Sequence, residues 1–120
     1  MRTDMFQQVL EELKGSSADV EASALISTDG LMIASALPAG MDEDRVGAMS
    51  AALLSLGDRA VRELARGTLA RVLLQGERGY VIMSSSGTEA VLTVLAKQNA
   101  KLGLLFLDIK RAAEALSKLI

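Results

Sequence analysis

The sequence predicts an α/β fold: a three-layer α-β-α sandwich in which helices cover both faces of one sheet. Two short apolar segments meet at Asp29-Gly30, and this dipeptide between apolar runs is a strong hairpin signal. Residues 42–66 form one long amphipathic stretch, which is typical of a single helix. Further apolar runs and a second amphipathic stretch follow. The predicted order is therefore α-β-β-α-β-β-β-α, with a five-stranded, mostly antiparallel sheet in one domain over residues 1–120.

The first elements are a short helix and the hairpin. Thr3 or Asp4 can cap the helix, and residues 15–17 (Gly-Ser-Ser) end it. Strands are expected at residues 22–27 and 31–36. The favoured two-residue turn requires positive φ at both of its central residues.

The long helix is predicted to begin after Asp42, an N-cap residue, and to be closed by Gly67. Large apolar side chains recur along it at helical spacing and are expected to face the sheet. They are Val46, Met49, Leu53, Leu56, Ala60 and Leu64.

The second half of the chain predicts the remaining strands and the last helix. The apolar runs are residues 69–75, 79–84 and 89–97. They do not alternate cleanly, which indicates a sheet that is covered on both sides. A final helix is expected at residues 99–119, which places one helix on one face and two on the other. Its predicted buried stripe is Leu105, Ile109, Ala112, Leu116 and Leu119.

Composition disfavours an enzyme. The chain contains no Cys and no His, which removes thiol nucleophiles, thiolate or imidazole metal sites and the usual proton shuttle at neutral pH. No phosphate-binding loop is present, because residues 76–79 lack the Gly-Lys-Ser/Thr that such a loop needs. A serine with a lysine base, or paired carboxylates, would still be possible catalytic groups. We nevertheless expect no cofactor, no metal and no catalytic residue.

Charge and hydropathy argue against nucleic acid and membranes as partners. The net charge is −2, which argues against a broad basic surface for nucleic acid. No apolar run reaches the length that spans a bilayer. We expect a cytoplasmic protein that does not insert into a membrane.

Two features favour self-association. The long helix carries a surface of small residues, and the run at residues 69–75 contains a single charge, so it would invite strand pairing if it lay at a sheet edge. We predict a homodimer formed by sheet extension, with the two long helices side by side. The predicted interface consists of Ala48, Ala51, Ala52, Ser55, Leu69, Arg71 and Leu73. The alternative is a monomer whose helix is rich in alanine because alanine is a good helix former.

Four segments give the chain a resemblance to a known family. They are residues 24–34 (ALISTDGLMIA), the Ala-rich stretch at 49–60, residues 79–82 (GYVI) and residues 102–105 (LGLL). On these segments the chain resembles the Roadblock/dynein light chain family over nearly its whole length. The resemblance implies the predicted sandwich, dimerisation through the third strand, and paired middle helices.

The same resemblance implies a function. Family members bind Ras-like GTPases or serve as scaffolds in dynein and lysosomal signalling complexes, and the bacterial gliding-motility type stimulates GTP hydrolysis by its partner. The expected function is thus a non-enzymatic regulator of a Ras-like small GTPase. Its predicted partner-binding residues are the exposed charges of the long helix: Asp58, Arg59, Arg62, Glu63 and Arg66. The same charges also suit a simple solvated helix face.

Two other functions remain open from the sequence. One is a structural scaffold subunit without effect on GTP turnover. The other is a small-molecule sensor, although the aliphatic core gives little sign of a cavity with convergent polar groups.

Overall fold

Helices and strands follow one another in the predicted order. The computed structural model describes residues 2–120. The elements are α1 (Arg2–Ser16), β1 (Val20–Ser27), β2 (Met32–Ala36), α2 (Glu43–Glu63), β3 (Val72–Gly76), β4 (Gly79–Ser86), β5 (Ala90–Lys97) and α3 (Leu102–Ser117). The strands form one sheet in the order β2-β1-β5-β4-β3, and every neighbouring pair is antiparallel.

The sheet has a hydrophobic core on each face. The larger core joins the sheet to α1 and α3, and Phe6, Leu10 and Leu105 are buried in it. The smaller core lies under α2 and contains Ile26 and Val91. The central strand β5 is buried almost throughout, which confirms the prediction of a sheet covered on both sides.

The hairpin forms where Asp29-Gly30 predicted it, but with a different turn. The Gly30 N–H donates to the Ser27 carbonyl at 2.9 Å, and the Ser27 N–H donates to the Leu31 carbonyl at 2.8 Å. Gly30 has φ +91°, whereas Asp29 does not have positive φ, so the prediction for both residues was wrong. A loop of three residues that ends in a left-handed glycine explains the pattern. It also delays the start of β2 from residue 31 to Met32.

Helix α2 begins as predicted and ends earlier. Asp42 caps it, since one carboxylate oxygen accepts from the backbone N–H groups of Asp44 and Arg45 at 3.0 and 3.2 Å. The helix ends at Glu63, and the left-handed residue after it is Ala65 at φ +57°, not the predicted Gly67.

The end of α2 has the hydrogen bonds of a Schellman motif. The Arg66 N–H donates to the Val61 carbonyl at 2.6 Å, and the Ala65 N–H donates to the Arg62 carbonyl at 3.2 Å. Among residues 2–120, Ala65 is the only non-glycine with positive φ. An alanine therefore occupies a position that usually belongs to glycine.

Small residues bring α2 close to the sheet. Gly47 and Ser50 are its buried positions, and a Cβ on Gly47 would lie 2.3 Å from the Gly30 carbonyl oxygen. The Ser50 hydroxyl accepts a buried hydrogen bond of 2.8 Å from Thr93 on β5. At these two positions α2 approaches the sheet closely because no large side chain stands between them.

The prediction that the large apolar stripe of α2 faces the sheet was wrong for half of its members. Met49, Leu56 and Leu64 are 56%, 61% and 70% exposed. Val46 and Leu53 do pack on the core under α2. The reason is steric: the side of α2 that carries Gly47 and Ser50 permits the closest approach and turns inward, and this leaves Met49, Leu56 and Leu64 on the outside.

Other boundaries also differ from prediction. β1 starts at Val20 rather than residue 22, β4 extends to Ser86 rather than residue 84, and β5 starts at Ala90 rather than residue 89. β3 starts at Val72 rather than residue 69, and α1 starts at Arg2, ahead of its predicted caps. α3 is shorter than 99–119, although Leu105, Ile109, Ala112 and Leu116 are buried as predicted and Leu119 is half-buried.

The outer edge of β2 is held from both sides of the sheet. The Gln7 side-chain amide of α1 donates to the Ser35 carbonyl at 2.8 Å. The Ser35 hydroxyl donates to the carboxylate of Glu43, the first residue of α2. At the opposite edge, the side chains of β3 are largely exposed.

Candidate interaction surface on helix α2

The outer face of α2 is the side that points away from the sheet. Three of the predicted interface residues, Ala48, Ala52 and Ser55, are exposed on it, and Ala51 is half-buried at its margin. Met49 and Leu56 lie beside them and are more than half exposed. This part of the face is therefore apolar, and no other element of residues 2–120 packs against it.

An apolar groove continues this face toward the edge of the sheet. It has a volume of about 430 Å³ and lies between α2 and strands β3 and β4. Its apolar lining includes Met41, Met49, Leu53, Leu74 and Val81. Sequence reasoning missed Met41, Met49 and Leu74 as surface residues. Strand periodicity could have identified Leu74, since alternate residues of β3 share a face and Val72 packs under α2.

Strand β3 lies at an open edge, as the dimer hypothesis requires. Leu73 and Leu74 are each 41% exposed and point to opposite faces of the sheet. Leu73 lies opposite Ile82, which belongs to the core with α1 and α3, so this predicted interface residue faces away from α2.

Two predicted interface residues precede β3. Leu69 is half-buried, and its methyl groups lie 3.7 Å from a Cβ built on Gly57 of α2. The Arg71 guanidinium lies over the ring of Phe106 on α3, 4.2 Å from the ring centroid. Arg71 thus makes a cation–π contact on the face opposite to α2.

The predicted partner-binding charges lie at the C-terminal end of α2. Asp58 is half-buried and borders a cleft beside Thr28 and Ala90, whereas Arg59, Arg62, Glu63 and Arg66 are exposed. Arg62 pairs with Asp58 at 3.1 Å, and Arg59 pairs with Glu63 at 3.0 Å. The Arg66 Nε donates to the Leu64 carbonyl at 3.1 Å. Pairs four residues apart on an exposed helix contribute about 0.3–0.5 kcal/mol each. They hold the side chains in place at small energetic benefit.

Within residues 2–120, no group of three or more Asp or Glu side chains is placed to hold a metal ion. The buried Ser86 hydroxyl donates to the Ala113 carbonyl at 2.7 Å, which is a structural role. None of the described helices combines the length and hydropathy needed to cross a bilayer.

Comparisons with known proteins agree with this architecture. The model of the Roadblock/LC7 domain matches residues 5–96. The chain is 38% identical over 110 residues to uncharacterized protein MJ1340 of Methanocaldococcus jannaschii, covering 92% of this chain and 95% of that protein.

Two solved structures share the fold. One is an MglB with a tetrameric arrangement, at TM-score 0.89 and 24% identity, covering 99% of this chain and 90% of that chain. The other is the gliding protein MglB of Thermus thermophilus, at TM-score 0.86 with the same identity and coverage.

Proposed function

The chain belongs to the Roadblock/LC7 family, and from this membership we propose that it is a non-enzymatic homodimeric regulator of a Ras-like small GTPase. The observation that carries the proposal is the uncovered apolar face of α2 beside the open edge of β3. Large apolar patches on a soluble domain mark interaction sites. The proposed compartment is the cytoplasm.

The proposed dimer pairs β3 with β3 of a second copy. The unpaired backbone groups of this edge then find partners, and the sheet becomes continuous across both protomers. The α2 helices come side by side on one face of that sheet. Ala48, Ala51, Ala52 and Ser55 allow them to approach closely, while Met49 and Leu74 bury apolar area between the protomers.

The proposed GTPase contact lies on the paired α2 helices. The ion-paired charges Asp58, Arg59, Arg62 and Glu63, together with Arg66, form its polar part. A regulator of GTP hydrolysis must bind the GTP and GDP states with different affinities, because a ligand shifts a conformational equilibrium only through differential affinity.

Ala52→Glu tests the dimer. It places two carboxylates at the centre of the proposed interface and should raise the dimer dissociation constant at least tenfold in sedimentation equilibrium, because like charges repel and lose hydration there. Ala115→Glu is the matched control, since Ala115 is an exposed alanine on the opposite face. A wild-type protein that sediments as a stable 12.7 kDa species at micromolar concentration contradicts the proposal.

Nucleotide-dependent capture tests the regulatory role. The tagged protein is incubated with extract of its own cells in the presence of a non-hydrolysable GTP analogue or GDP, and retained proteins are identified by mass spectrometry. We expect a small GTPase to be enriched with one nucleotide, and its GTP hydrolysis rate to change when the purified protein is added. The double variant Arg59→Ala/Arg62→Ala should weaken that effect without dissociating the dimer. If the same proteins are retained with either nucleotide, the result supports the scaffold role instead.

A further inference from the structure

The face of the sheet opposite to α2 is only partly covered by helices. α1 packs on β1 and β2, and α3 packs on β4 and β5. β3 therefore extends beyond α3 on this side. Leu73 marks the uncovered area, since it is 41% exposed although its cross-strand neighbour Ile82 is fully buried.

A cleft of about 390 Å³ separates α3 from the segment that leads into β3. Ile82 and Ser84 form its floor, and Phe106 and Lys110 of α3 form one wall. Arg71 stands on the other side and stacks on the Phe106 ring. We call the cleft and the adjoining surface of Leu73 the α3 slot.

The width of the α3 slot follows from the proposed homodimer, on which this inference rests. In a sheet joined at β3, α3 of each protomer lies above β4 and β5, so four strand spacings separate the two α3 axes. At about 4.8 Å per spacing, this separation is about 19 Å. Packed helices lie about 8–10 Å apart. Together the two half-slots have room for one additional helix that lies on the sheet between the two α3 helices and is centred on the two-fold axis.

The lining of the α3 slot selects the chemistry of that helix. Leu73 is 41% exposed and Phe106 of the wall is half-buried, so both offer apolar surface, which suits an amphipathic helix. Arg71 and Lys110 stand at its rim, and neither makes an ion pair with another residue of 2–120. The rim contains one carboxylate, that of Glu114, so each protomer contributes one net positive charge.

From this geometry we infer that the α3 slot binds one acidic amphipathic helix of a partner protein per homodimer. The apolar stripe of the helix covers Leu73 and Phe106, and its acidic flanks pair with Arg71 and Lys110 of both protomers. This surface is separate from the α2 face, so a dimer can hold the helix and a GTPase at the same time. The stoichiometry is one helix for two chains, because a helix on the two-fold axis excludes a second one.

Binding of synthetic peptides tests the inference. The probe is a fluorescein-labelled peptide of about 18 residues, long enough to form a helix, with leucines on one face and glutamates on the flanks. Controls are a scrambled peptide of the same composition and a peptide with lysine in place of glutamate. We expect saturable binding of the acidic amphipathic peptide, at one peptide per dimer by calorimetry, and at least tenfold weaker binding of both controls.

Variants locate the site. Phe106→Ala and the charge reversal Lys110→Glu should each weaken peptide binding about tenfold or more, since the first removes an anchor and the second inverts a rim charge. Lys110 is exposed on α3, so its reversal leaves the fold intact. Sedimentation of the wild type separates the two proposals, because a wild-type monomer contradicts the homodimer on which this inference rests. If the wild type is a stable dimer, three results overturn this inference alone. They are no binding of the acidic peptide, binding of two peptides per dimer, and unchanged affinity in both slot variants.

Discussion

Replacing Gly47 with alanine tests the close contact between α2 and the hairpin. The added Cβ would lie 2.3 Å from the Gly30 carbonyl oxygen and 3.3 Å from its carbon. A relaxed contact between carbon and oxygen is about 3.3 Å, so α2 or the turn must move by about 1 Å. A gap of that size removes a quarter to a half of the local dispersion energy between the helix and the sheet.

The net change in the free energy of unfolding is the difference between the cost of overpacking and the gain in helix propensity. Overpacking against a backbone atom costs about 1–3 kcal/mol, whereas alanine stabilises a helix interior by about 1 kcal/mol relative to glycine. We expect Gly47→Ala to lower the free energy of unfolding by up to about 2 kcal/mol. Gly103→Ala in α3 is the matched control, because no atom lies within 4 Å of a Cβ built there. It should be neutral or stabilise by up to about 1 kcal/mol.

Urea denaturation followed by circular dichroism measures both variants. Protein concentration must be equal in all samples, because self-association shifts apparent stability by mass action. We expect the Gly47 variant to have the lower midpoint at an unchanged slope. A Gly47→Ala protein as stable as the Gly103→Ala protein would refute the close contact.

Three further substitutions are expected to change the free energy of unfolding, one raising it and two lowering it. Ala65→Gly should stabilise by about 0.5–1 kcal/mol in urea denaturation, because glycine adopts φ +57° without the strain of a side chain; an unchanged or lower midpoint contradicts this. Thr93→Val should lower stability by about 1–3 kcal/mol in thermal unfolding, since it leaves the buried Ser50 hydroxyl without a partner, and adding Ser50→Ala should recover part of the loss. Gly79→Ala should lower the free energy of unfolding by about 2 kcal/mol or more. Gly79 has φ +152°, and a Cβ there would lie 2.3 Å from the Ala96 carbonyl oxygen. A variant with the denaturation midpoint of the wild type would contradict that contact.

Element order could be predicted because some of the boundaries have a local chemical cause. The Asp42 carboxylate caps α2 through two backbone N–H groups, and the left-handed Gly30 closes the hairpin. Both signals lie within a few residues of the feature they specify. The buried stripe of α3 was predictable for the same reason, since Leu105, Ile109 and Leu116 lie on one helical face and meet the core as a row.

The orientation of α2 could not be predicted, because it depends on a residue distant in sequence. Periodicity ranks Met49 and Leu56 as inward-facing because they are large and apolar. The sheet instead contacts Gly47, whose lack of a side chain fits against the carbonyl of Gly30. The position of Arg71 was missed similarly, since its ring partner Phe106 lies on another element. Hydrophobicity alone does not predict which side of α2 packs most closely against the sheet.

The two edges of the sheet have different consequences for assembly. At β2, Gln7 occupies the Ser35 carbonyl and Glu43 binds the Ser35 hydroxyl, so this edge has side chains where another strand would dock. Within residues 2–120, no side-chain hydrogen bond occupies the backbone of β3, so this edge is the more accessible one for another strand. A subunit with one adhesive edge can form a pair of closed two-fold symmetry, but it cannot be added to indefinitely, as a subunit with two such edges can. A strand that paired along β2 at Ser35 would first have to displace the Gln7 side chain from this carbonyl.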